Sequence, residues 1–272
     1  MRVAATRSGL GVHNDGMSGI LRVMDLALTG RRALVTGASS GLGLGCAQAL
    51  VAEGATVTLV ARSAEKLATA TATMHGPGTV HTLVGDVSDL ESLPALIAAA
   101  EALMGGIDIL VANAGGPPPG TFATTPFEHY EPALRLNLLS TVAMCQATIP
   151  AMRARGWGRV IAITSMSVRE PIAHLILSNT ARAGLTGFLK TVATEVAADG
   201  VTVNTLQPGL HLTDRLSGLY DDPSGLAASI PTHTLGDPAD FGRIAAFLCS
   251  DAAKFLTGTS IPVDGGAGKG LQ

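Results

Sequence analysis

From residue 31 onward the chain alternates between two patterns. Short runs rich in Val, Ile, Leu and Thr lie at 32–36, 56–61, 80–84, 107–112, 158–164, 201–206 and 260–263. Longer Ala-rich runs with helical spacing stand between them, near 42–53, 64–74, 89–104, 126–154, 176–199 and 239–249. Continuous apolar runs of strand length suit a sheet covered on both faces, because a half-exposed sheet would show strict alternation. Strand and helix in regular succession are the signature of parallel βαβ units. The pattern therefore predicts an α/β fold, a doubly wound parallel seven-stranded sheet in a single domain over 25–272. No linker, repeat or low-complexity tract interrupts it, and Pro117-Pro118-Pro119 marks a loop after the fourth strand. Residues 210–236 are dense in turn formers (Asp221-Asp222-Pro223, Pro231, Gly236-Asp237-Pro238), and a loop of that length reads as a lid over a site.

Composition narrows the classes. Of 272 residues, 47% are hydrophobic and only 3% aromatic, so the core is built of Ala, Val, Leu and Ile. A net charge of −3 gives no basic footprint and argues against nucleic acid as a partner. No apolar run reaches the roughly 18–20 residues of a membrane span. Cys46, Cys145 and Cys249 are scattered through apolar segments without metal-ligand spacing. They read as buried thiols of a cytoplasmic protein, with no metal site. Residues 1–24 lack the later patterning and are expected to be a flexible N-terminal extension. The Arg-bearing start has no apolar stretch for secretion, and the segment from Met24 onward looks like a natural protein start.

The first strand run ends in Thr36 and is followed by Gly37-Ala38-Ser39-Ser40-Gly41-Leu42-Gly43, which opens a helix-like run. G-x-x-x-G-x-G between strand and helix is a phosphate cradle. The glycines permit a tight turn and close backbone approach, and the helix N-terminus faces the anion. Ser39 and Ser40 offer hydroxyls, and Leu42 lies within the same loop. The second strand ends in Ala61-Arg62-Ser63, where a carboxylate would favour NAD(H). Arg62 and Ser63 suit a 2′-phosphate instead, which predicts NADP(H) in preference to NAD(H).

These residues resemble the fingerprint of the short-chain dehydrogenase/reductase family, most closely its 3-oxoacyl-(acyl-carrier-protein) reductase-like branch. Further motifs fall in the family's order across about 25–268. Asp86-Val87 resembles the pair that holds adenine, and Asn113-Ala114-Gly115 the stretch that lines the adenosine pocket. Asn137 and Ser165 match the asparagine and serine of the catalytic tetrad. Pro208-Gly209 with Thr213 resembles the segment that grips the nicotinamide carboxamide, and His211 lies inside it. The resemblance implies a Rossmann-like fold, a nicotinamide cofactor, a small-molecule substrate and a homotetramer.

The departure is specific. Ala183-Gly184-Leu185-Thr186-Gly187-Phe188 aligns the family's Tyr-x-x-x-Lys with Ser178-Asn179-Thr180-Ala181-Arg182. Spacing of i, i+4 puts Ser178 and Arg182 on one helix face. A serine hydroxyl is a far poorer acid than a phenol of pKa ~10, and a guanidinium does not readily relay protons. Arg182 can still hold ribose oxygens or stabilise an oxyanion. His174, His211, Tyr220 or a water are the alternative proton carriers. Arg169 and Glu170 follow the serine strand as a possible pair, and a substrate carboxylate would suit Arg182 or Arg169. The expected function is NADP(H)-dependent reduction of a ketone, enone or imine with an altered tetrad of Asn137, Ser165, Ser178 and Arg182. A non-redox lyase, isomerase or cyclase, or a catalytically silent cofactor-binding subunit, stays open beside it.

Overall fold

The computed structural model describes residues 24–219 and 224–270. Apart from Met24, the N-terminal extension expected over 1–24 falls outside these residues, and so does Tyr220. Seven strands form one sheet: β1 (Arg32–Thr36), β2 (Thr56–Ala61), β3 (Thr79–Val84), β4 (Ile109–Ala112), β5 (Gly158–Ile163), β6 (Val201–Pro208) and β7 (Ser260–Val263). Their order is β3-β2-β1-β4-β5-β6-β7, and every pairing is parallel. The helices are α1 (Gly41–Ala52), α2 (Ala64–Ala72), α3 (Leu93–Met104), α4 (Tyr130–Leu134), α5 (Ser140–Ala154), α6 (Ile176–Val196), α7 (Asp214–Ser217) and α8 (Pro238–Cys249).

The continuous apolar runs became the central strands. All residues of β4 and β5 are buried, whereas β3 and β7 at the edges are half-open. One core cluster joins the sheet to α1, α2 and α8 through Cys46, Leu50, Leu67, Phe241 and Leu248. The other joins it to α3, α5 and α6 through Ile97, Met144, Ile149, Leu185 and Leu189. This is the doubly wound, Rossmann-like arrangement that the alternation predicts. All three cysteines are buried within these clusters, and burial raises each thiol pKa.

Strand order reverses between β1 and β4, which is where open α/β sheets bind ligands at their carboxyl edge. Register across the switch is fixed by Ala33–Ile109, Leu34–Leu110 and Val35–Val111 pairing. Just beyond it, the Thr36 hydroxyl donates to the Asn113 carbonyl at 2.7 Å and accepts from the Asn113 amide at 3.0 Å.

The long helix expected over 126–154 forms from Phe127 to Ala154, with a wider π-helical turn inside it. A 3₁₀ turn at Phe127–His129 leads into α4, a π-helical turn follows at Arg135–Leu139, and α5 begins at Ser140. Within the wide turn the Ser140 hydroxyl takes the Leu136 carbonyl at 2.7 Å. Such side-chain competition for a backbone acceptor loosens the regular ladder. The run expected to be helical from 89 becomes α3 only at Leu93, because Asp86 and Asp89 draw the amides of Ser88 and Ser92 into local turns.

Candidate active site

The glycine turn leads from β1 into α1, as the sequence pattern predicts. Gly37 and Gly41 take φ of +58° and +55°, a left-handed conformation that favours glycine. A Cβ on Gly43 would lie 2.3 Å from the Gly37 carbonyl oxygen, so α1 can start against this turn only without a side chain. Ser40 caps α1 in an extended conformation and makes no side-chain cap bond, which leaves its exposed hydroxyl for a ligand. Ser39 and Leu42 are half-buried beside it. The Asn113 amide donates to the Gly37 carbonyl at 3.2 Å and braces the turn from β4.

Arg62 is exposed at the end of β2, with no hydrogen bond or ion pair to another described residue. Ser63 is committed to structure, because its hydroxyl accepts from the Lys66 amide and caps α2. Asp86 accepts from the Ser88 amide and hydroxyl through Oδ1, which positions the half-buried carboxylate, and Val87 beside it is buried. Ala114 packs against the second core cluster, whereas a Cβ on Gly115 would meet open space.

Past β6 the chain turns back over the cradle. The Gly209 amide donates to Val263 in β7 at 2.9 Å, just after Pro208. Thr213 caps α7 through the Leu216 amide, and its methyl group lies 3.2 Å from where a Gly41 Cβ would be. The two ends of the 210–236 segment are pinned together by Gly236 N–H to Leu210 and Leu212 N–H to Gly236, both 2.9 Å. His211 is buried in this clasp. Its ring packs edge-on against Phe241 at 5.2 Å and sits near the Gly209 carbonyl, and burial lowers its pKa. The imidazole is thus a packing group of the clasp.

The four tetrad positions gather at the carboxyl ends of β4 and β5. Asn137 lies in the π-helical turn, is 3% exposed and donates to the Gly115 carbonyl at 2.8 Å. Its Oδ1 is buried without a protein partner. Ser165 is extended, half-buried, and accepts from the Ser167 amide at 3.1 Å, so its hydroxyl proton remains to be donated. Ser178 and Arg182 are both buried, one turn apart on α6. From Nη1, Arg182 donates to the carbonyls of Ile163 and Thr164 at 2.7 and 2.9 Å, directly before Ser165. Burial, reinforced by the like charge of Arg215, lowers its pKa to about 10. Arg182 has no carboxylate within ion-pair distance among the described residues.

Other sequence candidates lie differently. His174 is exposed in the loop before α6, where its carbonyl accepts from Gly120, so it does not share the helix face of Ser178. Glu170 accepts from the amides of Lys269 and Gly270, and Arg169 donates to the Ser260 carbonyl at 2.6 Å. Sequence reasoning passed over Arg215 in α7. Its Nη2 donates to the Pro117 carbonyl at 2.8 Å and lies over Gly116, on the loop after β4. An arginine two residues after Thr213 was the available signal. No helix among the described residues is long and apolar enough to cross a membrane, and no cluster of metal-ligating side chains occurs among them.

Comparisons with known proteins show the family. A family model described as enoyl-(acyl carrier protein) reductase matches residues 37–268. Nodulation protein G of Azospirillum brasilense is 36% identical over 239 residues, covering 86% of this chain and 96% of that protein. The 3-oxoacyl-(acyl-carrier-protein) reductase FabG of Salmonella typhimurium is 34% identical over 244 residues, covering 89% and 98%. Among solved structures, L-sorbose reductase from Gluconobacter frateurii, complexed with NADPH and L-sorbose, superposes with a TM-score of 0.86 at 32% identity, covering 91% of this chain and all of that one. The chain belongs to the short-chain dehydrogenase/reductase family of oxidoreductases.

Proposed function

We propose that this chain is an NADP(H)-dependent oxidoreductase that reduces a ketone, with Ser178 and Arg182 standing where the family carries a phenol and an ammonium. The observation that carries the reading is the anchoring of Arg182 to the Ile163 and Thr164 carbonyls, one residue before Ser165. It keeps a cation and three polar side chains at the ligand-binding edge of the sheet.

The residues present fit a dinucleotide. A side chain on Gly37 or Gly43 would collide with backbone or Asn113, and the N-terminus of α1 offers amides and the uncommitted Ser40 hydroxyl. Gly37, Ser39, Ser40, Gly41, Leu42 and Gly43 would hold the pyrophosphate, and Asp86, Val87, Asn113, Ala114 and Gly115 the adenosine side. Pro208, Gly209, the backbone of His211, and Thr213 would hold the carboxamide. The exposed Arg62, with Ser63 beside it, favours a 2′-phosphate, which supports NADP(H) over NAD(H). The bound coenzyme supplies hydride to a carbonyl carbon.

The chain's own residues do the rest. Ser165 and Ser178 donate hydrogen bonds to the carbonyl oxygen. Arg182 stabilises the negative charge that develops there, and at neutral pH it keeps its own proton. The proton reaches the oxygen from water through the serine hydroxyls. Asn137 braces the Gly115 carbonyl and leaves its buried Oδ1 as an acceptor for that water. A homotetramer is the assembly that the family resemblance implies.

The test follows NADPH absorbance against a ketone panel. Loss of NADPH matched one-to-one by alcohol supports the proposal. Turnover of substrate at constant NADPH, or coenzyme binding without turnover, would replace it by a non-redox or a silent role. Ser178→Tyr combined with Arg182→Lys should raise ketone reduction by about tenfold or more, since a placed proton donor contributes roughly 10²–10⁴-fold.

A further inference from the structure

Two arginines are held at the carboxyl end of β5 and by the loop after β4, Arg182 by Ile163 and Thr164 and Arg215 by Pro117. Arg182 is buried, its Nη1 is spent on the Ile163 and Thr164 carbonyls, and its other N–H groups find no acceptor among the described residues. Arg215 lies on α7 and is tied to Pro117 by one Nη2 bond. Their anchors follow neighbouring strands, since β4 and β5 pair through Ala112 and Ala162. Adjacent strands lie about 4.8 Å apart, so the loops leaving these two ends run side by side, and the charge of Arg215 is felt at Arg182. Neither arginine has a carboxylate within ion-pair distance among the described residues.

A buried cation without a counter-charge is costly unless a ligand supplies one. In a Tyr-x-x-x-Lys site an ionised phenol can balance the ammonium. Ser178 cannot ionise at ordinary pH, so the balancing anion has to arrive from outside. The coenzyme's phosphates would have their own cradle at the Gly37–Gly43 turn, against which Thr213 packs.

We propose that Arg182 and Arg215 form a two-guanidinium clamp for a carboxylate on the substrate, which makes the substrate an oxo acid. Arginine pairs carboxylates through parallel N–H donors, so the clamp fixes orientation as well as charge. The ketone carbon would then be presented to Ser165 and Ser178 by the substrate's own acid group. This rests on the oxidoreductase reading for the ketone, though the carboxylate binding itself does not.

Calorimetric titration of the full chain, with and without NADP+, tests it. The probes are short straight-chain 2-oxo, 3-oxo and 4-oxo acids and their methyl esters. At least one acid should bind about tenfold or more tightly than its ester, as expected for a charge-assisted pair. Arg215→Gln should abolish that preference while NADP+ affinity stays within about threefold. Arg215 is exposed, so this variant is expected to fold; Arg182→Lys is the second variant and should weaken the preference without removing it. Equal binding of acids and esters, or a preference indifferent to Arg215→Gln, overturns the clamp. Loss of NADP+ affinity by about tenfold in Arg215→Gln also overturns it, and reassigns that arginine to a coenzyme phosphate. Acid preference in a chain that binds no NADP+ upholds the clamp and removes only the oxidoreductase reading.

Discussion

Arg182 Nη1 donates to the Ile163 carbonyl at 2.7 Å, so a helix side chain holds the exit of the strand that presents Ser165. Removing it leaves two buried carbonyls without a donor, at about 1–3 kcal/mol for each unsatisfied group. Arg182→Ala should therefore lower stability and weaken coenzyme binding or turnover by about tenfold or more. Denaturant unfolding, coenzyme Kd and kcat are the readouts; unchanged values for all three would take Arg182 out of the site. The pH dependence follows from its pKa of about 10. Rate terms that need its charge should be flat through neutrality and fall as pH rises through about 10. The folded chain sheds this proton before the unfolded chain does, so the stability cost of burying the charge is constant at lower pH and fades only above that point.

Gly43 touches Gly37 too closely for any side chain. With a Cβ 2.3 Å from the Gly37 oxygen, Gly43→Ala must push α1 away from the turn. We expect coenzyme affinity to fall by about tenfold or more in a chain that still folds, because the helix end no longer meets the phosphates. Fluorescence titration with NADPH decides it, and wild-type affinity would mean that α1 does not carry the pyrophosphate.

Arg62 stands alone at the end of β2 and should distinguish the two coenzymes. Arg62→Ala is expected to raise the Kd for NADPH by about tenfold and leave NADH within about threefold. Equal losses for both would show that the guanidinium does not read the 2′-phosphate.

His211 is buried neutral against Phe241, and its pKa is lowered mainly by burial. The unfolded chain therefore takes up this proton first as pH falls below 6.5, and the native state loses stability in that window. His211→Gln should lack this component. Parallel urea titrations at neutral and mildly acidic pH measure the difference, and identical pH slopes for both proteins would refute it.

The sheet was legible because its central strands are buried on both faces and so spell continuous apolar runs. The glycine turn was legible for a related reason: Gly37, Gly41 and Gly43 occupy spaces or angles that other residues cannot. Asn137, Ser165, Ser178 and Arg182 were placed by their motifs, and the fold brings them to one edge. What stayed hidden depends on long-range packing. Nothing near residue 211 in sequence announces that Phe241 will receive its ring, and Arg215 joins Pro117 across 98 positions. The π-helical turn in the long helix was equally silent, since Leu134 and Leu138 keep the i, i+4 apolar spacing of a regular helix.

That π-helical turn has a consequence for how this protein can be altered. A wide turn holds one residue more than an α-helical turn, so the segments on either side are out of phase by about 100°. Helical wheels drawn from Tyr130 to Ala154 in one sweep will assign half their positions to the wrong side. Deleting a single residue between Arg135 and Leu139 would restore uniform winding, and the chain would still make a good helix. It would do so by swinging Asn137 off Gly115, which makes this stretch a place where shortening the protein erodes chemistry before architecture.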